Sequence, residues 1–207
     1  MARISKPGVL TGARGRIGNV VTYELNGVQV VRSLPAKKKK YKFTKLQQLY
    51  HARFQMMHRL AKSVKHEIIN RIWNPLAVAA GQNGYNMFIK TNTKAFGGDS
   101  TVAFPALLVL SKGDLYPVDN FAVKREGDEL QFSWANNYTG KYANASDRLN
   151  IVLLSGRKML KMVEINATRA EEVASLPVPE NEETIEGYAF WSSANEEYFS
   201  ESVYWQV

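Results

Sequence analysis

Cysteine is absent from the 207 residues, which excludes disulfides and any thiolate-held metal. Histidine is scarce as well. His51, His58 and His66 are the only three, and spacings of seven and eight leave neighbours two helical turns apart. That is about 10.5 to 12 Å along a helix axis, too far to share an ion. The stretch "HEIIN" lacks the second histidine of a zincin helix, so a solvated basic face is the reading for these residues. Long apolar runs are missing too. The longest, Val102 to Leu110, has nine residues and contains Pro105, far short of the roughly 20 that a membrane span needs. The basic start "MARISKPGVLTGARGRIG" has no apolar core of signal-peptide length. These absences predict a protein of the cytoplasm, or of a particle assembled there, with no membrane contact.

Acidic residues are nearly missing from one half of the chain. Residues 1–104 hold 18 Lys+Arg against Glu24, Glu67 and Asp99, a net charge of +15. Residues 105–207 hold 9 Lys+Arg against 16 Asp+Glu, a net of −7. Such asymmetry assigns the halves separate jobs, one of them facing a polyanion or an acidic partner.

Turn and periodicity signals agree with a division near residue 100. "NVVTYELNGVQVVRS" carries an Asn-Gly pair between β-rich runs, the strongest short-range hairpin signal. A two-residue loop pairs Leu25 with Val28, Tyr23 with Val30 and Val21 with Arg32, giving one apolar face. Thr44 is placed to cap a helix in which Leu46, Leu49, Tyr50, Phe54, Met57, Leu60, Ala61, Val64, Ile68 and Ile72 recur at spacings of three and four. Arg53 and Arg71 fall inside that apolar arc and must snorkel or meet a partner. Pro75 disfavours helical geometry at Asn74, so "WNPL" is expected to end the helix. A weaker helical stretch follows in "YNMFIKTNTKAF". Beyond residue 104, "FPALLVLSKG", "NFAVKRE", "DELQFSW", "DRLNIVLLSG", "KMLKMVEIN", "EGYAFWSS" and "SESVYWQV" read as about seven strands, the count of an antiparallel sandwich. The expected fold is α+β: a β-hairpin plus helices in a basic region 1–100, and an antiparallel β-sandwich in 104–207.

"GRIGNVVTYELNGVQVVRSLP", a helix, "GYNMFIKTNTKAF", and then "VLSKGDL", "LQFSW", "TRAEEVASLPVP", "YAFWSS" and "SESVYWQV" resemble, in that order, an uncharacterised bacterial family. The likeness covers nearly the whole chain. It implies a second half like a fibronectin type III or immunoglobulin-like sandwich, and it implies no activity, since the family is a domain of unknown function.

The chemistry-bearing patterns are few. "TGARGRIG" spaces Gly12, Gly15 and Gly18 around Arg14 and Arg16, but no Gly-Lys-Ser/Thr follows and no strand–helix frame surrounds it. It reads as a flexible lead-in to the hairpin, or as an arm that docks a polyanion or partner. Ser155 lacks a G-x-S-x-G frame, and the carboxylates cluster near turns without an acid–base spacing. No catalytic residue, metal site or cofactor is expected, and the protein is read as a non-enzyme. What remains is a basic docking set: Arg14, Arg16, Arg32, Lys37, Lys38, Lys39, Lys40, Lys42, Lys45, Arg59, Lys62 and Lys65. Arg53 and the aromatics Tyr41, Phe43 and Tyr50 lie among them. A structural or assembly protein of a bacterial or phage-like particle follows, with protein subunits as partners, either its own kind in a homo-oligomer or an acidic protein. The alternative is nucleic-acid binding through the backbone alone, since no base-reading motif is present.

Overall fold

The computed structural model describes residues 2–4, 12–25, 27–36, 42–97, 105–137, 142–155, 158–178 and 184–207. Lys37 to Lys40 and Tyr41 lie outside the described residues. The chain forms two compact units, Met1–Phe43 and Thr44–Val207.

The smaller unit is a four-stranded antiparallel sheet in the order β1-β4-β3-β2, with β1 at Ala2–Ile4, β2 at Gly15–Ile17, β3 at Val20–Leu25 and β4 at Val28–Ser33. The central pair has the expected register: Leu25 faces Val28, Tyr23 faces Val30 and Val21 faces Arg32. Gly27 has φ +74°, a value that side chains rarely tolerate. The glycine- and arginine-rich lead-in differs from its expectation, because its residues add strands on both sides of the hairpin. Polar side chains inside the sheet hold it there. Thr22 Oγ1 donates to the Ala13 carbonyl at 2.8 Å, and Gln29 Nε2 donates to the same carbonyl at 2.8 Å. Gln29 Oε1 also accepts from Gly12 N at 3.2 Å.

The larger unit has three layers. A three-stranded sheet, β5-β6-β9, uses β5 (Ala122–Glu126), β6 (Glu129–Ser133) and β9 (Val173–Pro177). A four-stranded sheet, β11-β10-β7-β8, uses β7 (Arg148–Ser155), β8 (Lys158–Thr168), β10 (Glu186–Ser192) and β11 (Val203–Gln206). Together they make the antiparallel β-sandwich of an α+β protein, and every neighbouring pair within them is antiparallel. Leu130, Phe132, Leu149, Ile151, Leu153, Ala189, Trp191 and Trp205 fill the space between the sheets. Arg169 is buried beneath them. Its Nε meets Asp147 Oδ2 at 3.1 Å, Nη2 donates to the Tyr116 carbonyl at 3.1 Å, and the guanidinium stacks 4.6 Å over Trp191.

The third layer is helical. α1 spans Lys45–Ser63, a π-helix follows over Lys65–Trp73, then α2 over Asn74–Ala79 and α3 over Gly84–Asn92. Thr44 caps α1 as expected, in a reciprocal box: its Oγ1 accepts from Gln47 N at 3.2 Å and its own N donates to Gln47 Oε1 at 3.0 Å. Met57, Leu60, Val64, Ile68, Ile69, Ile72, Trp73 and Phe88 share a second core with Val152, Leu154, Tyr188 and Phe190 of the four-stranded sheet. Trp73 sits at its centre, donating from Nε1 to the Leu110 carbonyl at 2.7 Å. The division of the chain therefore lies between Phe43 and Thr44, and the boundary expected near residues 101–103 falls inside the larger unit. A strand such as β10, buried on both faces, makes the helices and the sandwich one body.

Two local expectations also change. Asn74 is helical (φ −65°, ψ −47°), and the chain continues into α2 because Pro75 stands at the helix start, where its missing N–H removes no bond. "FPALLVLSKG" is not a strand. It holds a single 3₁₀ turn at Pro105–Leu107 and then runs buried between layers, where Asn92 bonds both the N–H and the carbonyl of Val109 at 2.7 and 2.9 Å. The seventh strand is instead Val173–Pro177.

Candidate functional site

The predicted basic set is divided between the two units, with Lys37 to Lys40 outside the described residues. Arg14, Arg16 and Arg32 belong to the small sheet. Arg14 pairs with Glu24 at 2.6 Å, Arg16 Nε donates to the Gly18 carbonyl at 2.9 Å, and the Arg32 guanidinium lies 5.8 Å over the Tyr23 ring. Lys42 is exposed in the same unit. Lys45, Arg59 and Lys62 are exposed on α1, and Lys65 begins the π-helix. The two arginines of the apolar arc both find partners. Arg53 Nη2 donates to the Thr93 carbonyl, and Arg71 pairs with Glu196 at 2.7 Å.

α1 has an unusual apolar stripe. Its second half is buried from Met57 onward, but in its first half Leu46 is 59% exposed, Leu49 41%, Tyr50 56% and Phe54 54%. These residues share the face of Met57, Leu60 and Val64, so one stripe is core at one end and open at the other.

The other feature is a cleft of about 680 Å³. One wall comes from the end of α1 and the π-helix, through Lys62, Lys65, His66, Ile69 and Asn70, and continues to Asn74. The facing wall is the first turn of α3, through Asn83, Tyr85 and Asn86. Local geometry sets both walls. Asn83 caps α3, its Oδ1 accepting from Asn86 N at 3.3 Å. Asn74 Nδ2 donates to Asn70 Oδ1 at 3.2 Å. Gly84 makes the close approach possible, since a Cβ there would stand 2.3 Å from Asn74 Oδ1 and 2.7 Å from Asn74 N. Tyr85 is anchored by its hydroxyl 2.7 Å from His58 Nδ1, and burial raises its pKa. His58 is thus half-buried between Tyr85 and Phe54 rather than solvated, a correction to the reading of the three histidines.

Sequence reasoning selected Lys62 and Lys65 but missed the amides beside them. An α-helix puts residues five apart about 140° around the axis, so Lys65 and Asn70 do not read as neighbours. The i to i+5 bonding of the π-helix, begun by Ile69 N to the Val64 carbonyl at 3.1 Å, brings them toward one side. Among the described residues, no three His, Asp or Glu side chains are grouped to hold a metal, and no helix is long and apolar enough to cross a membrane.

No family model matches the chain, and no curated protein matches it at a significant level. Among solved structures, the chain is similar to domains d3–d4 of the rat CD45 extracellular region, at 13% identity and a TM-score of 0.35. That match covers 47% of this chain and 51% of the rat one, so the chain spans about half of that fragment's length. The fn3 domain of the human collagen alpha-1(XX) chain is 16% identical with a TM-score of 0.35, over 45% of this chain and 83% of that one. The Clostridium perfringens spore cortex lytic enzyme SleM is 11% identical with a TM-score of 0.30, over 54% of this chain and 31% of that one.

Proposed function

We propose that the protein is a non-enzymatic structural or assembly component, which docks through its basic N-terminal half while the sandwich serves as an interaction module. The open apolar stripe of α1 carries this reading. Leu46, Leu49, Tyr50 and Phe54 form a contiguous exposed patch on a helix that also bears Lys45 and Arg59. An apolar centre beside charge is the anatomy of a protein interface, whereas a phosphate backbone asks mainly for cations. The net of −7 on residues 105–207 makes a second copy a partner of suitable sign. Such a head-to-tail contact is heterologous and builds rings or filaments. The setting we propose is a bacterial or phage-like multi-subunit particle assembled in the cytoplasm. The alternative, non-specific binding of a nucleic-acid strand, draws support from the exposed rings of Tyr50 and Phe54, on which bases could stack.

Light scattering of the 207-residue chain over a concentration series, at low and at high salt, tests the first reading. Wild type is expected to associate at low salt, and Leu49→Asp/Phe54→Asp to remain monomeric with an unchanged fold. Wild type that is monomeric throughout overturns self-assembly. Titration of labelled DNA and RNA covers the alternative: tight low-salt binding that is lost when Lys37 to Lys40 become Ser would replace the assembly reading.

A further inference from the structure

We infer that the cleft between the π-helix and α3 binds a phosphorylated, hydroxyl-rich small molecule of the sugar-phosphate class. The inference does not rest on the docking role proposed above, although Lys62 and Lys65 belong to both.

Charge and geometry carry it together. Lys62, Lys65 and His66 converge on one wall, and no ion pair among the described residues neutralises either lysine. Lysines so placed present strong point-charge donors to a phosphate. Apart from Tyr85, the rest of the polar lining is made of amides, Asn70, Asn74, Asn83 and Asn86. An amide offers both donors and an acceptor, which suits hydroxyl groups that donate and accept. Among the described residues, no carboxylate lines the cleft to oppose an anion. The facing wall adds the first turn of α3, a nine-residue helix whose positive end thus lies at the cleft.

The walls are also built to stay in place. The π winding aligns Lys65 with Asn70, and Gly84 locks the start of α3 against Asn74 with no room for a side chain. Tyr85 is tied to His58 behind the wall. The volume, about 680 Å³, suits a small molecule and falls within the roughly 300–1,000 Å³ of ligand sites. An isolated phosphate would leave most of it, and most of the amides, unused.

Isothermal titration of the whole chain at fixed ionic strength tests this, with glucose 6-phosphate, ribose 5-phosphate and N-acetylglucosamine 1-phosphate as probes. Glucose, inorganic phosphate and a single-stranded DNA oligomer are the comparisons. Saturable binding of at least one sugar phosphate is expected, tighter than that of phosphate or glucose. The side-chain amide NMR signals of Asn70, Asn74, Asn83 and Asn86 should shift with it. Each lysine makes a charge-assisted contact, so Lys62→Gln/Lys65→Gln should weaken binding by roughly tenfold per lysine. Lys124→Gln, on exposed β5, should leave it unchanged. Asn70→Ala/Asn83→Ala should erase the preference over inorganic phosphate. All these positions are exposed, and thermal unfolding checks that each variant is folded. No saturable binding by any probe at millimolar concentration overturns the inference, as does an equal loss in Lys124→Gln. So does DNA binding that depends on Lys62 and Lys65 when the sugar phosphates do not bind. Light scattering on Asn70→Ala/Asn83→Ala keeps the two proposals apart, because neither amide belongs to the basic docking set and self-association stays intact if both hold.

Discussion

Removing the helices should unfold the sandwich. A fragment of residues 105–207 contains all seven sandwich strands, yet one face of its four-stranded sheet loses its cover. Val152, Leu154, Phe190 and Leu110 are each 6% exposed or less in the intact chain, and all four belong to the core that the helices complete. Exposing a side chain of this kind sacrifices about 1.5–3 kcal/mol, so the four together represent roughly 6–12 kcal/mol, an upper estimate because unfolded chains are already partly compact. Whole domains are stable by only about 5–15 kcal/mol. The loss therefore approaches the entire margin, before the Leu110 carbonyl is counted, which gives up the Trp73 donor. The assay is urea unfolding followed by near-ultraviolet circular dichroism, comparing 105–207 with 44–207. The longer fragment keeps both cores and should unfold in one cooperative step. The shorter should show no cooperative transition and should bind a hydrophobic dye. A cooperative 105–207 fragment with a midpoint equal to that of 44–207 would refute the shared core.

Two further outcomes follow from groups buried in the sandwich. Asp147→Ala strands the Arg169 guanidinium, whose pKa burial lowers and Asp147 raises, and should destabilise by about 3–5 kcal/mol; adding Arg169→Met should restore most of that. Equal stability of the single variant and wild type in urea would contradict the pairing. Tyr204 donates to Glu186 at 2.9 Å, and its pKa is raised to about 12 by burial first and then by that carboxylate, while burial also raises Tyr188. Both groups favour folding in their protonated form, so their contribution is full below the ordinary tyrosine pKa of about 10 and disappears as pH rises through the raised values. Phenolate absorbance should show a late titration step that Tyr204→Phe removes; a Tyr204 step at the ordinary value would sink the argument.

Much of the architecture was legible because it is locally encoded. The Asn-Gly pair set the hairpin register, Thr44 announced the start of α1, and β-rich runs between turn residues marked six of the seven sandwich strands. Val173–Pro177 escaped because Ala, Ser and Pro give a weak strand signal. "FPALLVLSKG" misled because an apolar run reports burial, whatever the backbone does. One clue to the three-layer body is present in the sequence. "GYAFWSS" and "LNIVLLS" are nearly continuous in apolar residues, which is what a strand covered on both faces requires.

The sequence by itself determined the charge partition, the hairpin, the capped helix and the sandwich, since each rests on neighbouring residues or simple periods. Only the tertiary structure decided where the chain divides, which half of α1 is open, and that Lys65, Asn70, Asn74 and Asn83 line one cleft. The physical reason is the same in each case. Burial of a second face, a switch from α to π winding, and the approach that Gly84 permits all depend on residues distant in sequence, and no local pattern records them.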